Sequence, residues 1–196
     1  MQNKLTYLTT FASLNFKTIF EVKPNFFLIK NNYIMQLALF PKHTGVWEGT
    51  YKRLNAAGEL MWQHKSRLSL RLDGNEWRQS NLYEFSDGRV EFHNFGLSHF
   101  DEKGVMTFDN PRIYGKSWET EGSIILWWTY KNEPGSKLYE IINLIEDGHR
   151  MRVWQHSQNG VFEGLTMIEE WRVAEGHSIP LAHYEQKSYV SEAEMA

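Results

Sequence analysis

Cysteine is missing from the chain, which excludes disulfides, thiolate nucleophiles and Cys-ligated zinc or iron–sulfur sites together. Long apolar runs are missing as well. Residues 1–34 hold many apolar side chains, but Lys4, Asn15, Lys17, Glu21 and Lys23 interrupt them before any run reaches the length of a signal peptide or a membrane span. No membrane partner is therefore expected, and the composition fits the cytoplasm. Basic clusters are lacking too: the net charge is −3, the pI is near 6.2, and Lys and Arg are scattered, so nucleic acid is not an expected partner. Helical periodicity of useful length, a Gly-rich phosphate loop, a dinucleotide fingerprint, a His-Glu-x-x-His run and a Ser-His-Asp order are all absent. An α/β enzyme fold drops out with them, and neither a metal nor a cofactor is expected.

Rings are what the chain has in abundance. Eight tryptophans are present, nearly all in short alternating segments bounded by Gly-, Asn- or Asp-containing turns. Along Gly45-Val46-Trp47-Glu48-Gly49-Thr50-Tyr51 the alternation of a strand puts Trp47, Gly49 and Tyr51 on one face. A glycine beside two large rings leaves room for something. Next, over 60–72, Leu60, Trp62, His64, Ser66, Leu68, Leu70 and Leu72 share the inner face; over 76–86, Trp77, Gln79, Asn81, Tyr83 and Phe85 do so. Alternation blurs over 89–98 between Phe92/Asn94 and His93/Phe95, and a weaker pair of strands follows at 104–109 and 112–119. Strands then return at 123–131, 137–146, 149–157 and 161–173. The pattern predicts an all-β fold, a single antiparallel up-and-down β-barrel of eight to nine strands over 40–174. Residues 1–39 read as an N-terminal extension, helical or disordered, and 175–196 as a polar, acidic tail.

Gly45-x-Trp47 at the start of the first strand, with Trp171-Arg172 near the end of the last, resembles the calycin arrangement. There, a first-strand Trp closes the barrel floor and a last-strand Arg packs across it. The longer run His43 to Tyr51, with Gly58-Glu59-Leu60 and the Tyr83…Asp87-Gly88-Arg89 segment, is similar to an uncharacterised lipocalin-like family of cyanobacteria and other bacteria. Phycobilin lyases are similar calycin barrels. Nitrobindin-type haem barrels also open with Gly-x-Trp-x-Gly; that likeness implies a proximal histidine near the C-terminal strands, and His156 lies nearest that position.

For a barrel of this kind the expected partner is a small apolar or aromatic molecule, bound in a lumen lined by Trp47, Tyr51, Trp62, Trp77, Gln79, Asn81, Tyr83, Trp127, Arg152, Trp154 and Trp171. Packing alone accounts for many large rings, since each buries about 150–250 Å². Amides sharing the ring face say more, because an unpaired polar atom in a closed barrel costs about 1–3 kcal/mol. Arg150, Arg152, Trp154 and His156 share one face of their strand. Either that face lines the lumen as an anion-binding wall, or it meets solvent while Met151 and Val153 turn inward; Trp154 favours the lumen. The same cavity could serve a cofactor-independent lyase, isomerase or cyclase, with His64, His156 and Glu169 as the candidate proton-transfer groups. Trp127 and Trp128 cannot both point inward from a regular strand, so one ring is expected on the outer wall, where a second copy could pair as a homodimer.

Overall fold

The computed structural model describes residues 37–175; the N-terminal extension up to residue 36 and the tail from 176 onward lie outside the described residues. A 3₁₀ turn over Phe40–His43, with Pro41 in its first turn, leads into β1 (Gly45–Leu54). There follow β2 (Leu60–Asp73), β3 (Glu76–Phe85), β4 (Val90–Phe100), β5 (Met106–Asp109), β6 (Ile113–Glu119), β7 (Ile124–Tyr130), β8 (Ser136–Glu146), β9 (His149–Gln158) and β10 (Val161–Ala174). Each strand pairs antiparallel with the next, and β10 pairs with β1, so the sheet closes into an up-and-down barrel. Ten strands replace the eight to nine expected, the short β5 and β6 each counting as a full member of the wall.

Closure removes sheet edges, and the two-residue pleat then divides every strand into lumen and outer wall. On β1 the inner set is Trp47, Gly49 and Tyr51, and on β2 it is His64, Ser66, Leu68 and Leu70, as the alternation predicts. The core gathers around Phe40, Trp47, Tyr51, Leu68, Leu70, Trp77, Phe100, Met106, Ile124 and Ile168. The blurred alternation of β4 has a physical cause. Gly96 takes φ +74°, and the β3–β4 register slips between Arg78 and Ser80. Such a bulge reverses which face each side chain meets, so His93 and Phe95 line the lumen before it and Ser98 and Phe100 after it.

The wall is uneven. β1 and β2 share ten rungs, whereas β4 and β5 share only His99↔Thr107 and Phe100↔Met106. Beyond those two rungs β4 continues toward Val90 without β5 as a partner.

Candidate functional site

Two ends of the barrel differ in kind. At the end where β1 begins, a floor is built on Trp47, whose indole N–H donates to the His43 carbonyl at 2.9 Å. The Arg150 guanidinium lies 4.2 Å from the Trp47 ring centre and that of Arg172 4.9 Å from it, favourable cation–π placements. The calycin-like floor read from Gly45-x-Trp47 and Arg172 is therefore present in the structure. The preceding 3₁₀ turn is tied down by Glu119, whose carboxylate accepts the backbone N–H groups of Ala38, Leu39 and Phe40. Phe40 in turn packs edge-on against Trp77 and Phe100.

Above the floor lies a buried charge network. Arg150 Nε donates to Glu170 at 2.6 Å; Arg152 Nε donates to Glu140 at 2.5 Å, and its Nη1 reaches Glu170 at 3.2 Å and the Tyr51 hydroxyl at 3.0 Å. Two cations face two anions, so the cluster is neutral. Burial alone would raise the Glu170 pKa, but Arg150 and Arg152 outweigh it and hold the carboxyl below its ordinary range. Burial likewise pulls Arg152 down, and Glu140, Tyr51 and Glu170 more than restore it. Gly49 makes this network possible: a Cβ there would sit 2.6 Å from Glu170 Cγ and 2.0 Å from the Glu169 carbonyl oxygen. The room beside the first-strand glycine is filled by Glu170.

Toward the other end the lumen opens into a cavity of about 360 Å³. Aromatic rings from Tyr51, Trp62, Trp77, Tyr83, Phe85, Phe108, Trp128 and Trp154 surround it, joined by Met106 and Leu126. Along the β3 wall runs an uncharged polar stripe. Trp77 Nε1 donates to Gln79 at 3.4 Å, Gln79 Nε2 to Asn81 at 3.1 Å, and Asn81 Nδ2 to the Tyr83 hydroxyl at 2.7 Å. Burial, opposed by the Asn81 hydrogen bond, pushes the Tyr83 pKa up to about 12, and burial pushes Tyr51 up as well. Both phenols stay protonated at neutral pH; each accepts a hydrogen bond, Tyr83 from Asn81 and Tyr51 from Arg152, and keeps an O–H able to donate. His64 stacks between Tyr51 and Trp62, with its pKa lowered by burial. Trp154 keeps a buried indole N–H that finds no acceptor among the described residues.

Around the mouth stand Arg89, Glu91, His93, Asn110, Arg112 and Tyr130. Arg112 Nη1 donates to His93 Nδ1 at 2.7 Å, and His93 Nε2 lies 3.1 Å from Glu91. An arginine only donates, so Nδ1 accepts and the ring proton sits on Nε2, directed at Glu91.

Of the residues expected to bind ligand, Tyr51, Trp62, Trp77, Gln79, Asn81, Tyr83, Arg152 and Trp154 converge on the cavity, as does His64. Others do not. Trp47 lies beneath it in the floor. His156 does not line it, and its Nε2 meets Thr166 Oγ1 at 2.8 Å; burial first, then the charge of Arg53, lowers its pKa to about 4. With that nitrogen engaged, the position does not fit the axial ligand that the haem-barrel likeness implied. Trp127, Trp171 and Glu169 face outward. Trp128 takes the inner place on β7, so Trp127 lies on the outer wall with Tyr139 and Phe162. On β10 the even positions Thr166, Ile168 and Glu170 turn inward and Arg172 covers Trp47, which leaves Trp171 stacked on His149 outside and Glu169 3.1 Å from the same imidazole. Glu91, His93 and Phe95 escape the sequence reading because the Gly96 bulge hides the period of β4, and Arg112 because it lies in the turn before β6, where no alternation assigns a face.

Residues 35–175 match the model of the domain of unknown function DUF3598, N-terminal. The chain belongs to the DUF3598 family. Among solved structures this DUF3598 domain is similar to a family member of unknown function from Nostoc punctiforme, with 18% identity over 70% of this chain and 50% of that one, and a TM-score of 0.52. It thus spans about half the length of that relative. The S-type phycobiliprotein lyase CPES of Guillardia theta is similar at 16% identity, 68% and 89% coverage and TM-score 0.51. Protein Rv2717c of Mycobacterium tuberculosis follows at 12%, 70% and 99% coverage and TM-score 0.50. At such identities the likeness is one of fold, and the sequence resemblance to lipocalin-like bacterial proteins and phycobilin lyase barrels holds at that level. No curated protein matches the chain. No helix among the described residues is long and apolar enough to cross a membrane.

Proposed function

We propose that this DUF3598 barrel binds a small, flat, largely apolar molecule in its lumen. The observation that carries the reading is the cavity of about 360 Å³ with rings on all sides and one stripe of uncharged hydrogen-bonding groups. That is the usual composition of a ligand site, whereas a packed barrel core has no such void. The unsatisfied Trp154 N–H supports it, because a buried donor without an acceptor costs about 1–3 kcal/mol and a ligand carbonyl or ether oxygen removes that cost. Tryptophan fluorescence follows binding directly, since Trp77, Trp128 and Trp154 line the cavity. Saturable quenching by naphthalene- or pyrene-sized probes is the expected result, and its absence across a size series would reject the reading.

A catalytic version of the same site, as a cofactor-independent lyase, isomerase or cyclase, draws support from one place. Among the described residues neither His64 nor His156 hydrogen-bonds a carboxylate, but the His93–Glu91 pair faces the cavity. Turnover lost in His93→Gln and kept in His64→Gln would favour it. Pairing of two copies through the outer wall at Trp127, Tyr139 and Phe162 is a further reading, supported by the exposure of Tyr139 and Phe162; sedimentation velocity tests it.

A further inference from the structure

Apart from Arg172, which covers the floor and pairs with Asp147 and Glu175, five arginines of the barrel stand on the lumen face or at its mouth, and four have their charge or donors committed. Arg150 and Arg152 face Glu170 and Glu140. Arg53 donates to the carbonyls of Leu54, Leu165 and Glu163. Arg89 pairs with Glu91 and Asp87 and covers the Phe85 ring. Arg112 differs: among the described residues it makes no ion pair, and its guanidinium meets only the His93 imidazole and, at 5.5 Å, the Tyr130 ring. A guanidinium has five N–H donors in a planar fork that matches a carboxylate, and here one of them is used by a side chain.

Its position is as telling as its pairing. β4 and β5 share two rungs near the floor, and above them no ladder joins the two strands, which leaves a gap in the hydrogen bonding of the wall. Glu91, His93 and Phe95 line the cavity on one side of this gap and Phe108 and Asn110 on the other; Arg112, at the head of β6, reaches across to His93. Deeper in, the lumen has no place for a further charge. Arg150 and Arg152 are balanced by Glu140 and Glu170, and Glu140 itself lines the cavity, where it would repel an anion. Across the mouth, the ends of β2 and β10 expose Leu60, Met61, Trp62, Val161 and Phe162, a lip that attracts apolar groups only. Asp109 and Lys131, beside Arg112 at this end, pair with each other.

We propose that Arg112 is a ligand-binding residue, the anchor for the carboxylate of an amphipathic carboxylic acid whose apolar body fills the lumen and whose acid group emerges at the gap between β4 and β5. This rests on the lumen-binding reading and gives it a polarity: ring or chain inward, anion outward, on the β4–β6 side of the mouth. The carboxylate takes the fork of Arg112 in place of, or together with, His93 Nδ1. Because the site is exposed, the attraction is screened by salt.

Matched probes that differ only in the head group separate the anchor from the cavity: naphthalene-2-carboxylate against naphthalene-2-methanol, and 1-pyrenebutyrate against 1-pyrenebutanol. For the wild-type chain we expect the acid to bind about tenfold more tightly than the alcohol, as charge-assisted bidentate pairs do, and the gap to shrink to about twofold at 0.5 M salt. Arg112→Gln should erase the preference by weakening the acid far more than the alcohol; Arg112→Lys should keep part of it; Arg89→Gln should keep most of it. Urea midpoints of the variants establish that each is folded. Failure of both members of both pairs to bind overturns the lumen reading and the anchor with it. Equal binding of acid and alcohol, or an acid preference that survives Arg112→Gln, overturns the anchor and leaves the lumen reading standing.

Discussion

The floor and the mouth of this barrel are made from the same alternating strands, yet they use polar groups in opposite ways. At the floor, charges are taken out of water and matched one against another: Arg150 with Glu170, Arg152 with Glu140 and Glu170, and Trp47 beneath two guanidiniums. Above them the polar groups strung along β3 are uncharged and face a void, and charged side chains return at the rim with Arg89, Glu91 and Arg112. A neutralised ion network closes space, and a neutral hydrogen-bonding stripe leaves it open. On the proposed reading, stability resides in one half of the lumen and recognition in the other.

That contrast breaks most visibly at Glu170. Glu170→Gln leaves Arg150 and part of Arg152 uncompensated in the interior, and loss of one partner of a buried pair costs about 3–5 kcal/mol; a urea titration should show a correspondingly lower midpoint. Replacing both members, Arg150→Met with Glu170→Leu, should recover much of that loss, since a buried ion pair stabilises little beyond an apolar pair of similar volume.

Acid sharpens the comparison next. Burial, with help from Arg150, Arg152, Arg172 and Lys42, lowers the His43 pKa from 6.5 to about 3. The unfolded chain therefore binds a proton that the folded chain refuses, and stability is full above pH 6.5. It falls with decreasing pH by up to about 1.4 kcal/mol per pH unit for this group. The lowered pKa of Glu170 acts in the same sense below its ordinary value of 4.5. Thermal melts at several pH values should show a loss between pH 6.5 and 4.5 that is flattened in His43→Leu.

Steric closure of the floor comes third. Gly49→Ala would press a methyl group against the Glu169 carbonyl and Glu170, and overpacking of this kind costs about 1–3 kcal/mol. The smallest effect on stability belongs to the mouth half. Tyr83→Phe removes one hydrogen bond and should cost about 1 kcal/mol or less in a urea titration, while weakening probe binding in the fluorescence titration by a larger factor than Glu170→Gln does in its folded fraction.

Much of this division could be read from the residues. Period-two alternation over 60–72 and 76–86 assigned the inner faces of β2 and β3 correctly, and so found the ring-and-amide stripe from Trp77 to Tyr83. Gly45-x-Trp47 and Arg172 announced the floor. What failed did so at parity. Trp171 and Arg172 are adjacent and cannot both face inward, and Trp47 pairs with Arg172 in the β1–β10 register. The same rule makes Glu170 and not Glu169 the inward carboxylate; its rung partner Arg150 would have pointed to it once Arg150 and Arg152 were assigned to the lumen. The mouth stayed hidden for a different reason. Its residues straddle the Gly96 bulge and the sparse β4–β5 ladder, and a bulge reverses a strand's pattern without any change in composition.

The central claim, that the upper lumen is a ligand chamber above a sealed floor, is tested most directly by intermolecular nuclear Overhauser effects between naphthalene-2-carboxylate and the methyl groups of the protein. Contacts to Met106 and Leu126, which line the cavity, with none to the outer-wall Ile141 and Met167, are the predicted result. Contacts confined to Ile141 and Met167 would place the molecule on the outside of the barrel and contradict the account.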